Sequence, residues 1–181
     1  VSPEMVGGLM KALDEVDRRH GEIRCVIIAG EGRGFCAGAN LQPAAGDRGD
    51  AGMLLETVFH PFLRRLLELP VPLITAINGA AAGVGMSFAL MGDLVLCARS
   101  AYFLQAFRRI GLVPDGGSTW LLPRTIGLAR AKELSMLAEK LPAEQALAWG
   151  LINRVYDDGM LMDEAMTPAK RFAAGPTVAY A

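Results

Sequence analysis

Two hydrophobic rhythms alternate along the chain. Val6, Leu9, Met10, Leu13 and Val16 recur at steps of three and four, the spacing of one buried helix face. Ser2-Pro3 ahead of them supplies an N-cap and a first-turn proline, and Gly21 a stop, which predicts a first helix ending near the RRHG segment. The rhythm then changes. CVIIAG (25–30), VPLITAIN (71–78) and DLVLCA (93–98) are short apolar runs, several of them rich in β-branched residues, as expected of strands covered on both faces of a parallel sheet. Residues 53–69 return to helical spacing and stop at Pro70. Beyond Gly111 helices dominate: 127–139, then 142–150 with Pro142 at its start and Gly150 at its end, then 160–174, with INRVY (152–156) as a last short strand. Strands alternating with helices predict an α/β protein with a mostly parallel sheet. The first residues already start a helix and GPTVAYA looks like the start of another, so the sequence is expected to be the middle of a longer chain.

Composition narrows the classes of function. Of 181 residues 52% are hydrophobic and 20% charged, enough for the core of one domain. The net charge is −1 with the signs interspersed; a nucleic-acid surface needs a basic stripe, and none is seen. Apolar stretches break well short of the ~18 residues of a membrane span, and no secretory leader is visible. The three cysteines, Cys25, Cys36 and Cys97, form no C-x-x-C pair and no short metal spacing; reduced thiols and a cytoplasmic location are expected, with no metal site. His20 and His60 read as structural or solvated.

The candidate chemistry begins at GAAAGVGMSFALMG (79–92), where a strand gives way to a helix through tiny residues. Such a run either lets two elements press together or leaves first-turn amides bare for an anion or oxyanion. Two more segments share its setting. FCAGANL (35–41) and RRIGLVPDGGSTWLLPR (108–124) also follow strands, at the carboxyl edge where open α/β sheets place ligands.

Taken in order, FCAGANL, INGAAAGVG and GLVPDGGSTWLLPR resemble the enoyl-CoA hydratase/isomerase (crotonase) superfamily, over essentially the whole chain. LVPDGGSTWLLPR is most similar to its epoxyphenylacetyl-CoA and enoyl-CoA isomerase branch. The resemblance implies a ClpP/crotonase fold, in which repeated ββα units form a mostly parallel sheet flanked by helices. It further implies that residues 1–181 are a single core domain without the family's N-terminal strands and C-terminal trimerisation helices. An acyl-CoA thioester would be the substrate, with coenzyme A entering as part of it and no separate cofactor. The assembly would be a homotrimer or a dimer of trimers, and the metabolism that of fatty acids or phenylacetate.

Residue by residue, the resemblance makes the amides of Ala39 and Val84 the pair that grips the thioester oxygen. Ala37, Gly38, Asn40 and Leu41 would line the acyl path, with Gly83, Phe107 and Pro114 also at the site; the family usually has Asp where Asn40 stands. The two glutamates with which family hydratases hold a water are absent, their positions falling on Ser87 and Phe107. Asp115, where isomerase members carry their catalytic aspartate, is left as the base. Desolvation by Phe107 and Trp120 is expected to raise its pKa. A hydratase using Asp115 with another group, and an inactive acyl-CoA binder, stay open. Asp115 also reads as an ordinary turn and helix-capping residue. A serine hydrolase with Ser87 as nucleophile is disfavoured, because no histidine lies downstream of it. The acyl group's size is expected to depend on the Gly-rich loop at 43–53 and on the family's C-terminal part.

Overall fold

In chain order the strands are β1 (Val26–Ala29), β2 (Gly34–Cys36), β3 (Leu73–Ile77), β4 (Ala80–Ala82), β5 (Leu94–Ala98), β6 (Tyr102–Leu104), β7 (Leu141–Pro142) and β8 (Arg154–Tyr156). The helices are α1 (Pro3–Arg18), α2 (Ala51–Leu54), α3 (His60–Leu67), α4 (Val84–Ala89), α5 (Ser118–Leu137), α6 (Ala143–Trp149) and α7 (Leu161–Ala174). This computed structural model describes residues 1–40 and 51–180, apart from the side chains of Ala51 and Val178.

The described strands divide between two sheets of four. One has the order β1-β3-β5-β8 and is parallel throughout; the other has the order β2-β4-β6-β7 and turns antiparallel only at β6–β7. The long apolar runs make the first sheet, and all five residues of β3 are buried. The second sheet was not expected as a separate layer. GFC, AAA and YFL are three residues each, too short to carry a period of their own. Each follows a strand of the first sheet after a short turn, so β1β2, β3β4 and β5β6 are successive copies of one step from sheet to sheet.

Local signals account for most boundaries. Ser2 Oγ accepts from the Met5 amide at 3.2 Å and caps α1, whose Val6, Leu13 and Val16 face inward. The helix expected over 53–69 is divided by a π-helical turn at Leu55–Phe59 before α3. α5 starts earlier than the sequence pattern predicts, and Gly127 breaks it at φ 79°, ψ 158°. Asp93 pins β3 to β5: its carboxylate accepts from the Leu73 amide at 2.8 Å, and its own amide donates to Leu73 O at 2.8 Å.

Two apolar clusters flank the sheets. One joins β3, β5 and β6 to α5, α6 and α7. The other joins α1 and α3 to Leu73, Val84 and Phe88, with Phe62 edge-to-face on Phe88 at 5.1 Å. Met86 and Met91 pack in these clusters, whereas Met136, Met160, Met162 and Met166 face solvent. Trp149 is only partly buried against the first cluster. All three thiols are free; burial pushes Cys25 up to about 11 and Cys97 higher still, which leaves both un-ionised at neutral pH. No helix among the described residues is long and apolar enough to cross a membrane.

The Gly/Ala run at 79–92 is explained first by packing. A Cβ on Gly85 would lie 2.3 Å from Cys36 O and 2.6 Å from Cys36 Sγ. Alanine ordinarily stabilises a helix by ~1 kcal/mol over glycine. Here Gly85→Ala is expected to do the reverse, costing ~1–3 kcal/mol through overpacking, measured as a lower urea midpoint.

Candidate active site

Three turns converge at the edge of the second sheet. The first leaves β2 through Ala37, Gly38 and Ala39; the second leaves β4 through Gly83 into α4; the third is Pro114-Asp115-Gly116-Gly117, ahead of α5. Gly38, at φ 100°, lets the first turn reach the second, since a Cβ there would meet Ala82 O at 2.9 Å. Close packing and open amides thus turn out to be one feature. The glycines bring two chain segments together, and the amides of Ala39 and Val84 enter no backbone hydrogen bond among the described residues. α4 has only six residues, so what the site gains here is bare N–H groups more than a long helix dipole.

Between these turns lies a cavity of about 90 Å³ lined by Ala37, Gly38, Ala39, Gly83, Val84, Ala106, Phe107, Ile110, Leu112 and Asp115. Val84 is 3% exposed and belongs to the α1–α3 apolar cluster. Of the residues singled out in the sequence, Ala37, Gly38, Ala39, Gly83, Val84, Phe107 and Asp115 meet here. Pro114 borders a separate surface groove with Leu122 and Met136. Asn40 is exposed and off the cavity wall, its amide donating to Val1 O at 2.9 Å. Leu41 and residues 43–50 of the Gly-rich loop lie outside the described residues.

Asp115 is the one carboxylate on this wall among the described residues. Its Oδ1 is shut off from solvent and has no hydrogen-bond partner among the described residues. The capping role that its sequence context also suggested is not what it does: Gly117 occupies the N-cap of α5, with no side-chain cap bond. Burial raises its pKa above the ordinary carboxylate value, and the charge of His60 offsets part of that rise. Phe107 lines the same cavity, but Trp120 does not; it is 58% exposed and lies under the Arg124 guanidinium at 4.1 Å. The apolar partners that the sequence reading missed are Ile110 and Leu112. Their signal was the IGL triplet within a segment otherwise read for its glycines. His60 was missed too, for it reaches Asp115 only through the fold.

Ser87 is fully buried and its hydroxyl is engaged by Ser118 at 2.7 Å and by Asp115 O at 3.2 Å. It therefore has neither the exposure nor the base of a hydrolytic nucleophile. Arg108 donates to Leu137 O, and Arg109 donates to Ala138 O. No group of three or more His, Cys, Asp or Glu side chains converges among the described residues.

Comparison with known proteins gives this geometry a family. The chain is 48% identical over 178 residues to the 1,2-epoxyphenylacetyl-CoA isomerase of Escherichia coli K12, an alignment spanning 96% of this chain and 68% of the relative. It is 41% identical over 188 residues to a Rhodobacter capsulatus protein named "Probable enoyl-CoA hydratase", covering 99% and 72%. Among solved structures, an enoyl-CoA hydratase from Polaromonas sp. JS666 superposes with a TM-score of 0.89 at 36% identity, covering 98% of this chain and 70% of that one. The family model described as enoyl-CoA hydratase/isomerase matches residues 1–181, and the chain belongs to that family of enzymes.

Proposed function

We propose that this enzyme moves a double bond within an unsaturated acyl-CoA, taking a 3-enoyl thioester to its conjugated 2-enoyl isomer with Asp115 as the single acid–base group. The observation that carries this is the sealed Oδ1 of Asp115, without a hydrogen-bond partner among the described residues, on the same small cavity as Ala39 and Val84.

The chemistry follows from what each group offers. The thioester oxygen accepts from the two amides, which stabilise the negative charge that develops on it. A pre-aligned donor of this kind typically lowers the barrier by ~3–4 kcal/mol. Asp115, ionised, takes a proton from the α carbon; the charge spreads into a dienolate, and the same carboxyl returns the proton at the γ carbon. Desolvation favours this use, because a carboxylate denied its own hydrogen bonds is a stronger base. Hydration would need a second group to hold and activate a water. The family's glutamate positions fall on a serine whose hydroxyl is spent internally and on an apolar wall residue, Phe107. Coenzyme A enters as part of the substrate, with no separate cofactor, and we include a homotrimeric assembly in the proposal on the strength of the family resemblance.

With purified enzyme, a 3-enoyl-CoA is expected to gain conjugated-thioester absorbance and a 2-enoyl-CoA to lose none; rapid loss from the 2-enoyl substrate would instead establish hydration. Asp115→Asn is expected to lower kcat by roughly 10²–10⁴-fold. The pH profile of kcat should rise through an ionisation above the usual carboxylate range, and that limb should vanish in Asp115→Asn.

The same pKa direction predicts a stability effect. A carboxyl whose folded pKa is raised gives its full contribution below the unfolded pKa and loses it as pH rises through the folded pKa. Asp115→Asn should therefore be more resistant to urea than the parent at neutral pH, with the difference closing in acid, as read from unfolding midpoints at several pH values.

A further inference from the structure

Outside the cavity lining lie three side chains that the proposed reaction does not use. Gln105, Ser87 and Ser118 are each 0% exposed and come from three separate elements: the segment after β6, α4, and the first turn of α5. Gln105 Nε2 donates to Ser118 Oγ at 3.3 Å, the two hydroxyls are 2.7 Å apart, and Ser87 Oγ donates to Asp115 O at 3.2 Å.

Donor and acceptor chemistry gives the row a direction. A carbonyl only accepts, so the contact with Asp115 O takes Ser87's single proton. Ser118 must then supply the proton between the hydroxyls, which leaves its oxygen to accept from the Gln105 amide. One arrangement satisfies every contact: amide to hydroxyl to hydroxyl to carbonyl.

Gln105 shows that the row has a cost. Its Oε1 is buried without a hydrogen-bond partner among the described residues, a loss that an apolar side chain of the same shape would avoid. What the glutamine adds is its donor. The row also ends at a junction with no slack. Gly116, at φ 58°, is so close to α4 that a Cβ would lie 2.8 Å from both Cβ and Oγ of Ser87, and 3.3 Å from Cγ2 of Val84. Asp115 O is held a second time by the Ser118 amide at 3.0 Å.

We infer that Gln105, Ser118 and Ser87 form a one-way hydrogen-bonded chain that fixes the main chain of Asp115 against α4, setting the carboxylate's place relative to the Val84 amide. The inference rests on the reading of Asp115 as the base, and it makes the three side chains positioning residues. None of them touches substrate. They act by keeping two reacting partners in register, where a displacement near 1 Å can cost on the order of 10²-fold in rate.

The test uses the full chain and a 3-enoyl-CoA. Ser87→Ala and Ser118→Ala are each expected to lower kcat about tenfold with KM within about twofold, a partial form of that misplacement cost. Built on Asp115→Asn, either change should have no further effect, because the carboxylate it positions is already gone. The inference is overturned if both single variants keep the parent kcat, if the loss falls on KM, or if it persists undiminished in the Asp115→Asn background. Failure of the underlying reading is separate and visible: Asp115→Asn alone would then keep the parent rate.

Discussion

The constraint on which the site depends is the contact between the end of β2 and the start of α4. Gly85 sits against Cys36, and Gly38 against Ala82, at separations that leave no room for a Cβ. That contact does two jobs at once. It joins the second sheet to the helix behind it, and it brings Ala39 and Val84 onto one cavity. The two-sheet arrangement follows from the same repeated step. Three strands of the first sheet, β1, β3 and β5, each hand the chain to a three-residue strand of the second. The deep apolar sheet gives rigidity, and the short-stranded sheet delivers the turns.

Against this frame the third turn is held by polar contacts. Pro114-Asp115-Gly116 follows no long strand, and its nearest anchors are the Ser87 hydroxyl and the Ser118 amide. Among the described residues the carboxylate's buried Oδ1 receives nothing comparable. Main-chain atoms are satisfied and the side chain is left wanting, which is the distribution expected where local stability yields to reactivity.

Much of this was legible in the sequence. The deep strands were visible because continuous apolar runs such as LITAI leave few other readings, and α1 and α6 because Ser2 and Gly150 mark an end of each. The three turns showed themselves through glycine, whose uses are few. The second sheet did not, since three residues hold no periodicity and its pairing is set by neighbours more than 20 residues away. The wall residues Ile110 and Leu112 look like any apolar pair. Trp120 misled because nearness in sequence is not nearness in space: one turn into α5 its ring points outward to Arg124. The hydroxyl chain was invisible for a similar reason, its members at 87, 105 and 118 meeting only once three elements have packed.

Val84 has two addresses: it belongs to the apolar cluster of α1 and α3, and it also lines the cavity. Drift in remote filling, at Val6 or Phe62 for instance, is thereby able to nudge a peptide plane that no mutation can delete. With the Val84 amide in the role proposed for it, turnover and interior repacking would share one coordinate, and a change in the hydrophobic interior would act as a graded dial on the chemistry as well.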